Sequence, residues 1–133
     1  MSTIVCQFRD APFRRDVRVA GGDGHRDPLS IQLNDAALDL TDVTWALRIS
    51  DHPGGAASVT GAAVADWTES GVYLDSASDG QVTVWVAETD TTALGAGEYW
   101  YELVATFPGD HSLLPSLTKT LIAGAFRVVQ DVA

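Results

Sequence analysis

The sequence predicts an all-β protein, an antiparallel β-sandwich of about seven to eight strands. Three observations predict it. Apolar residues recur with period two, as in Leu29-Ser30-Ile31-Gln32-Leu33 and Gln81-Val82-Thr83-Val84-Trp85-Val86. Turn signals built from Gly, Pro, Asn and Asp interrupt the chain at a spacing of roughly 8–12 residues. Helical periodicity is confined to one short piece, Glu88 to Leu94.

Composition bounds the answer. The 133 residues are 46% hydrophobic, with a mean hydropathy of +0.07, enough for a single domain with a packed core. The formal net charge of −10 repels phosphate, so neither nucleic acid nor an anionic membrane is expected as a partner. Cys6 is the one cysteine, so no disulfide within the chain can join the sheets. Packing must hold them, which suits assembly in a reducing cytoplasm. Arg9, Asp10, Arg14, Arg15 and Asp16 interrupt any signal-like segment near the start. No apolar run approaches the roughly 20 residues of a membrane-spanning helix.

The elements follow in order. Thr3 to Phe8 and Arg15 to Val19 are short strand candidates, and Gly21-Gly22-Asp23-Gly24 is a flexible break after them. Residues 1–24 are therefore expected as an N-terminal arm and residues 25–133 as the sandwich. Leu29 to Leu33 is a half-buried strand, followed by a turn at Asn34-Asp35-Ala36-Ala37. Thr44 to Ser50 is the clearest strand: Val43, Trp45, Leu47 and Ile49 share one face. Asp51-His52-Pro53-Gly54-Gly55 ends it. Residues 56–75 carry a weaker strand signal, with Val72 and Leu74 as inward candidates. Asp79-Gly80 is a turn that launches Gln81 to Val86. Thr89 is a candidate cap for the short helix. Glu98 to Phe107 is the longest strand. Pro108 to His111 turns, 112–117 is a leucine-bearing loop, and Thr118 to Val129 closes the domain.

Trp45 lies upstream of Gly97-Glu98-Tyr99-Trp100-Tyr101 in the order seen in immunoglobulin-like domains. There, a strand-C tryptophan precedes a corner tyrosine on strand F. Tyr99 takes the corner place. Tyr101 and either Ile31 or Leu33 stand where the two cysteines would be. A closer likeness lies in the order of D-L-T-D-V-T-W-A-L-R-I-S-D-H-P-G-G, D-G-Q-V-T-V-W-V, T-A-L-G-A-G-E-Y-W-Y-E-L and G-A-F-R-V-V. It resembles the disulfide-free, immunoglobulin-like modules of bacteriophage tail and baseplate proteins, such as the N-terminal domains of baseplate upper proteins. The likeness covers roughly residues 26–130; residues 1–20 and the loop 112–117 depart from it. Family members often begin longer fibre proteins. This chain ends just after its closing strand, so the module is expected alone, as an adaptor or cement.

Catalytic patterns are missing. His25, His52 and His111 fall in loops without a ligand cluster, and no serine stands in a nucleophile-elbow context. Glu98 and Glu102 share a strand face, more simply read as solvated than as a carboxylate pair. Asp35, Asp39, Asp42, Asp75 and Asp79 lie near loops that calcium could use, without EF-hand order. No enzyme activity, metal or cofactor is expected. Trp85 and Trp100 fall out of phase with the inward residues of their strands, and Leu113, Leu114 and Leu117 lie in a loop. These five are the candidate protein-interface residues, unless loops or the arm cover them within one subunit. The resemblance implies a virion structural protein assembled in the host cytoplasm, in the tail or baseplate or as a capsid accessory. Its partners would be other virion proteins, in a homo-oligomer or symmetric array. The alternative is a carbohydrate-binding host-recognition module that stacks sugar on its tryptophans.

Overall fold

In the computed structural model, residues 3–8 and 12–130 are described. They form β1 (Ile4–Gln7), β2 (Phe13–Arg14), β3 (Val17–Ala20), β4 (His25–Leu33), β5 (Ala36–Ala37) and β6 (Thr44–Ser50). Next come β7 (Ala57–Gly61), β8 (Ala63–Val64), β9 (Gly71–Ser76) and β10 (Gln81–Val86). The chain ends with α1 (Glu88–Leu94), β11 (Gly97–Thr106) and β12 (Thr118–Val129). One sheet, here sheet A, runs β1-β4-β10-β9-β8, with β5 beside β4. The other, sheet B, runs β2-β12-β11-β6-β7, with β3 also beside β12.

The two sheets enclose one core, as the alternation requires. β4 sends in Leu29 and Ile31; β10 sends in Val82, Val84 and Val86. From sheet B come Trp45, Leu47, Ile49, Tyr101, Leu103 and Ala105. Trp45 is 2% exposed and Tyr101 is 3% exposed. Ile31 and Tyr101, the residues expected where a bridged sandwich has its cystine, are both buried, and Trp45 is buried with them. The Tyr99 hydroxyl reaches back to the carbonyls of Leu94 and Gly95, 3.0 Å from the latter. That bond locks the end of α1 to the start of β11 and makes the corner expected from the sequence. The helix differs in detail. Ala87, not Thr89, occupies its N-terminal cap, and its amide donates to Ser70 Oγ at 2.8 Å.

The sheets are mixed rather than purely antiparallel. β1 runs parallel to β4, β2 and β3 run parallel to β12, and β8 runs parallel to β9. Three of these strands come from the expected arm. The N-terminal segment borders sheet A with β1, crosses, and borders sheet B with β2 and β3. Cys6, Val17 and Val19 are buried in the common core, so residues 3–8 and 12–20 are integral to the sandwich. Gly21 to Gly24 is the turn between β3 and β4. Residues 1–2 and 9–11 of the arm and 131–133 of the closing segment lie outside the described residues.

A charged pair fastens this segment from inside. Arg15 Nε and Nη2 each donate to the Asp27 carboxylate at 3.1 Å. Asp27 is 4% exposed on the inward face of β4. The bidentate geometry compensates a carboxylate that burial would otherwise disfavour. Burial, then the nearby Asp27 charge, raises the Tyr101 hydroxyl above the usual phenol range. The His25 ring meets Phe126 edge-on at 6.2 Å. Burial lowers its basicity, partly opposed by Asp27.

Candidate interaction surface

Trp85 points out of the sandwich, as its phase requires, but it is not a free surface. It is only 8% exposed. Trp67, from the loop before β9, lies over it with ring centroids 5.4 Å apart and rings nearly perpendicular. The Trp85 indole N–H donates to the Trp67 carbonyl at 2.9 Å. On another side the backbone of Gly24 presses so close that an added Cβ would sit 2.3 Å from the ring. Glycine is required there by packing. The expectation of an exposed Trp85 is corrected: its own chain covers it.

The covering group is itself a half-buried cluster. Trp67 stacks on Tyr73 at 4.5 Å, with 29° between the planes. The Arg26 guanidinium lies 4.1 Å from the Trp67 ring centre and 5.3 Å from that of Trp85. Cation and ring quadrupole attract, and the guanidinium sheds little hydration in doing so. Sequence reasoning missed Trp67, Tyr73 and Arg26 as a group. The available signal was a tryptophan in the polar turn Ala65-Asp66-Trp67-Thr68, where an uncovered indole would be costly. Asp66 shapes that turn by accepting from the Thr68 amide at 3.0 Å and the Thr68 hydroxyl at 2.6 Å. These bonds hold its carboxyl below the usual range.

Trp100 lies on the outer face of sheet B and is half-buried. Arg14 covers it, 4.9 Å from the ring centre, and the Trp100 indole N–H donates to Glu102 at 3.2 Å. Arg14 is held by Asp16 at 2.7 Å, and Asp16 also accepts from the Ala125 amide at 3.0 Å. This layer is local and solvated, unlike the cover on Trp85.

The leucine loop is folded by a histidine. His111 Nδ1 accepts from the amides of Leu113 and Leu114, at 3.2 and 3.0 Å. Its other nitrogen therefore carries the proton and donates to the Asp39 carbonyl at 2.7 Å. Phe107 packs edge-on against the ring at 4.9 Å. Leu114 and Leu117 turn inward and pack against the core, whereas Leu113 remains 61% exposed. The five candidates are thus not brought together. Trp85 belongs to sheet A, Trp100 to sheet B, and the leucines to one loop end.

Four of the loop aspartates considered for calcium have other work. Asp35 accepts from Gln7, Asp39 from Thr41, Asp75 from Thr83 and Asp79 from Ser76. Among the described residues, no group of three or more His, Cys, Asp or Glu side chains could hold a metal ion.

No protein-family model matches the chain. No curated protein matches it either. Its fold is found among solved structures. The N-terminal domain of phage TP901-1 ORF48 superposes with a TM-score of 0.54, at 8% sequence identity, over 97% of each chain. The likeness runs from end to end and includes the N-terminal strands that the sequence resemblance left out. At that identity the likeness is one of fold alone.

Proposed function

We propose that the protein is a non-enzymatic structural module of a phage virion, acting by rigid docking against neighbouring subunits. The end-to-end fold likeness to a phage domain carries this reading, together with the ordered motifs that resemble tail and baseplate modules. A tail or baseplate adaptor is the first position and a capsid accessory the second, in a homo-oligomer or symmetric array. Assembly in the host cytoplasm fits a sandwich whose single cysteine is buried in the core and whose sheets no disulfide within the chain can join.

The rival role, sugar binding, needs an open aromatic face. Trp67 and Trp100 already carry an arginine, and Trp85 is buried, so a sugar ring would have to displace a guanidinium. Docking needs no such displacement, because arginine–aromatic layers recur at protein interfaces. The test is to purify particles from cells that produce the protein and locate it by cryo-electron microscopy. Regular density in the virion is expected. Particles free of the protein would overturn the proposal.

A further inference from the structure

Sheet B is incomplete at the edge of β6. β11 pairs with β6 along all of Thr44–Ser50. On the other side β7 pairs only from Leu47 to Ser50, with Leu47 opposite Gly61. Among the described residues, Thr44, Trp45 and Ala46 therefore have a strand neighbour on one side only. The cause lies in Gly61. A Cβ there would stand 2.2 Å from the Ser70 carbonyl oxygen and 2.7 Å from Gly71 Cα. Glycine alone lets the chain press against Ser70 and Gly71 and leave sheet B. One residue on, the Ala62 carbonyl accepts from the Val72 amide at 2.9 Å, and β8 continues beside β9 in sheet A.

This crossing opens a cleft of about 720 Å³, lined by Trp45, Ala46, Thr60, Val64, Glu69 and Asp90 among others. Its charge is acidic. The lining carries two carboxylates, Glu69 and Asp90, against one guanidinium, Arg48, which donates to the Gly55 carbonyl at 3.3 Å. Asp90 accepts from the Ser70 hydroxyl, so Glu69 is the carboxylate left to meet an incoming cation. A strand edge without a neighbour offers backbone donors and acceptors to any extended chain. Natural edges are commonly guarded by lysine, proline or a short span. Neither Val43–Leu47 nor Ala57–Gly61 contains a lysine, a proline or a charged residue, so its short span is the guard this edge has.

We propose that this cleft receives an extended, basic segment of a neighbouring polypeptide, which adds as a strand to the open half of β6. The inference rests on the docking role above and names its site and partner chemistry. Three residues of open edge span roughly 10 Å at the strand rise, so a few residues of the incoming segment engage the backbone. Its lysines or arginines face Glu69, with Asp90 beside it held by the Ser70 hydroxyl. A second copy of the chain is a poor occupant of this cleft, because it brings the same excess of ten negative charges, and the symmetric array proposed above would use another surface.

The test uses the full chain in purified particles, with the photo-crosslinker p-benzoylphenylalanine at Thr60, an exposed position in the cleft lining, or at Gln81 as a distant control. The crosslink from position 60, mapped by mass spectrometry, is expected on a Lys- or Arg-bearing segment of a different protein. Position 81 should not reach that segment. Glu69→Lys should lower the yield severalfold while circular dichroism stays unchanged. Particles that contain the chain but give no crosslink, a crosslink to a second copy, or a yield indifferent to Glu69→Lys would overturn the inference and leave the docking role standing. Absence of the chain from particles would overturn both.

Discussion

Trp85 and Trp100 hold matching positions on opposite sheets. Each lies on a central strand, each is out of phase with its inward neighbours, and each meets an arginine. Yet Trp85 is sealed by Trp67 and by the backbone of Gly24, while Trp100 lies under an exposed ion pair. Alternation reports the direction of a side chain from its own strand. Whether anything lies above it depends on segments far along the chain. For Trp85 the cover comes from residues 18 and 61 positions away, Trp67 and Gly24. The practical lesson is that an outward aromatic becomes an interface candidate only after its cover has been accounted for.

Substitutions can break or sharpen that comparison. The inward reference is Trp45, fully enclosed between the sheets. Trp45→Ala should cost roughly 3–5 kcal/mol, read as a lowered midpoint in urea, and can consume most of a stability of order 5–15 kcal/mol. A loss below about 1 kcal/mol would show that β6 is turned the other way. Next comes Trp85→Ala, which removes a buried ring and the bond to the Trp67 carbonyl. A cost of about 2–3 kcal/mol is expected, with quenching or shift of the remaining tryptophan fluorescence as Trp67 loses its support. If Trp85→Ala were as mild as a surface change, the cover described above would be wrong.

The N-terminal strands offer a third contrast, between an added arm and a built-in edge. Asp27→Ala leaves Arg15 without its carboxylate. Because Arg15 is about one-third exposed, the cost should be near 1–3 kcal/mol, below that of a fully enclosed pair. Deleting residues 1–20 removes Cys6, Val17 and Val19 from the core, so it should impair folding itself, not only assembly. A truncated protein with unchanged thermal stability would restore the view of a separable arm. Trp100→Ser should be mild, about 0.5–1 kcal/mol for the exposed cation–ring contact. A large loss of folding there would make Trp100 structural like Trp85.

The smallest expected effect is a tilt of stability with pH. Burial lowers the His25 pKa, so the unfolded chain binds a proton more readily than the folded one. Its contribution is complete above the unfolded value near 6.5 and is lost as pH falls from there through the folded value. His25→Phe should flatten that part of the profile between neutral and mildly acid pH, measured by denaturant midpoints. An unchanged slope would place His25 in water.

Much of the architecture was legible because it is written in near-neighbour chemistry. Period two in Thr44–Ser50, Gln81–Val86 and Glu98–Phe107 yields the correct inward faces, since Cβ direction alternates by covalent geometry. Tyr99 could be placed as the corner because its hydroxyl bonds only four and five residues back. The single cysteine settled that no bridge within the chain joins the sheets. What the tertiary structure decided is everything that depends on distant segments. It set the parallel pairing of the N-terminal strands, the Trp67 cover, the inward turn of Leu114 and Leu117 on a histidine hinge, and the open half of β6. The parallel pairing and the open part of β6 carry no local signal, because their free-energy gain appears only when remote segments meet. The Trp67 cover and the histidine hinge left a local trace, a tryptophan in a polar turn and a histidine two and three residues before the amides it binds. Gly61 reads in the sequence as a loose break in an alanine-rich stretch. In three dimensions it faces Gly71, and both must lack a Cβ for the chain to change sheets there.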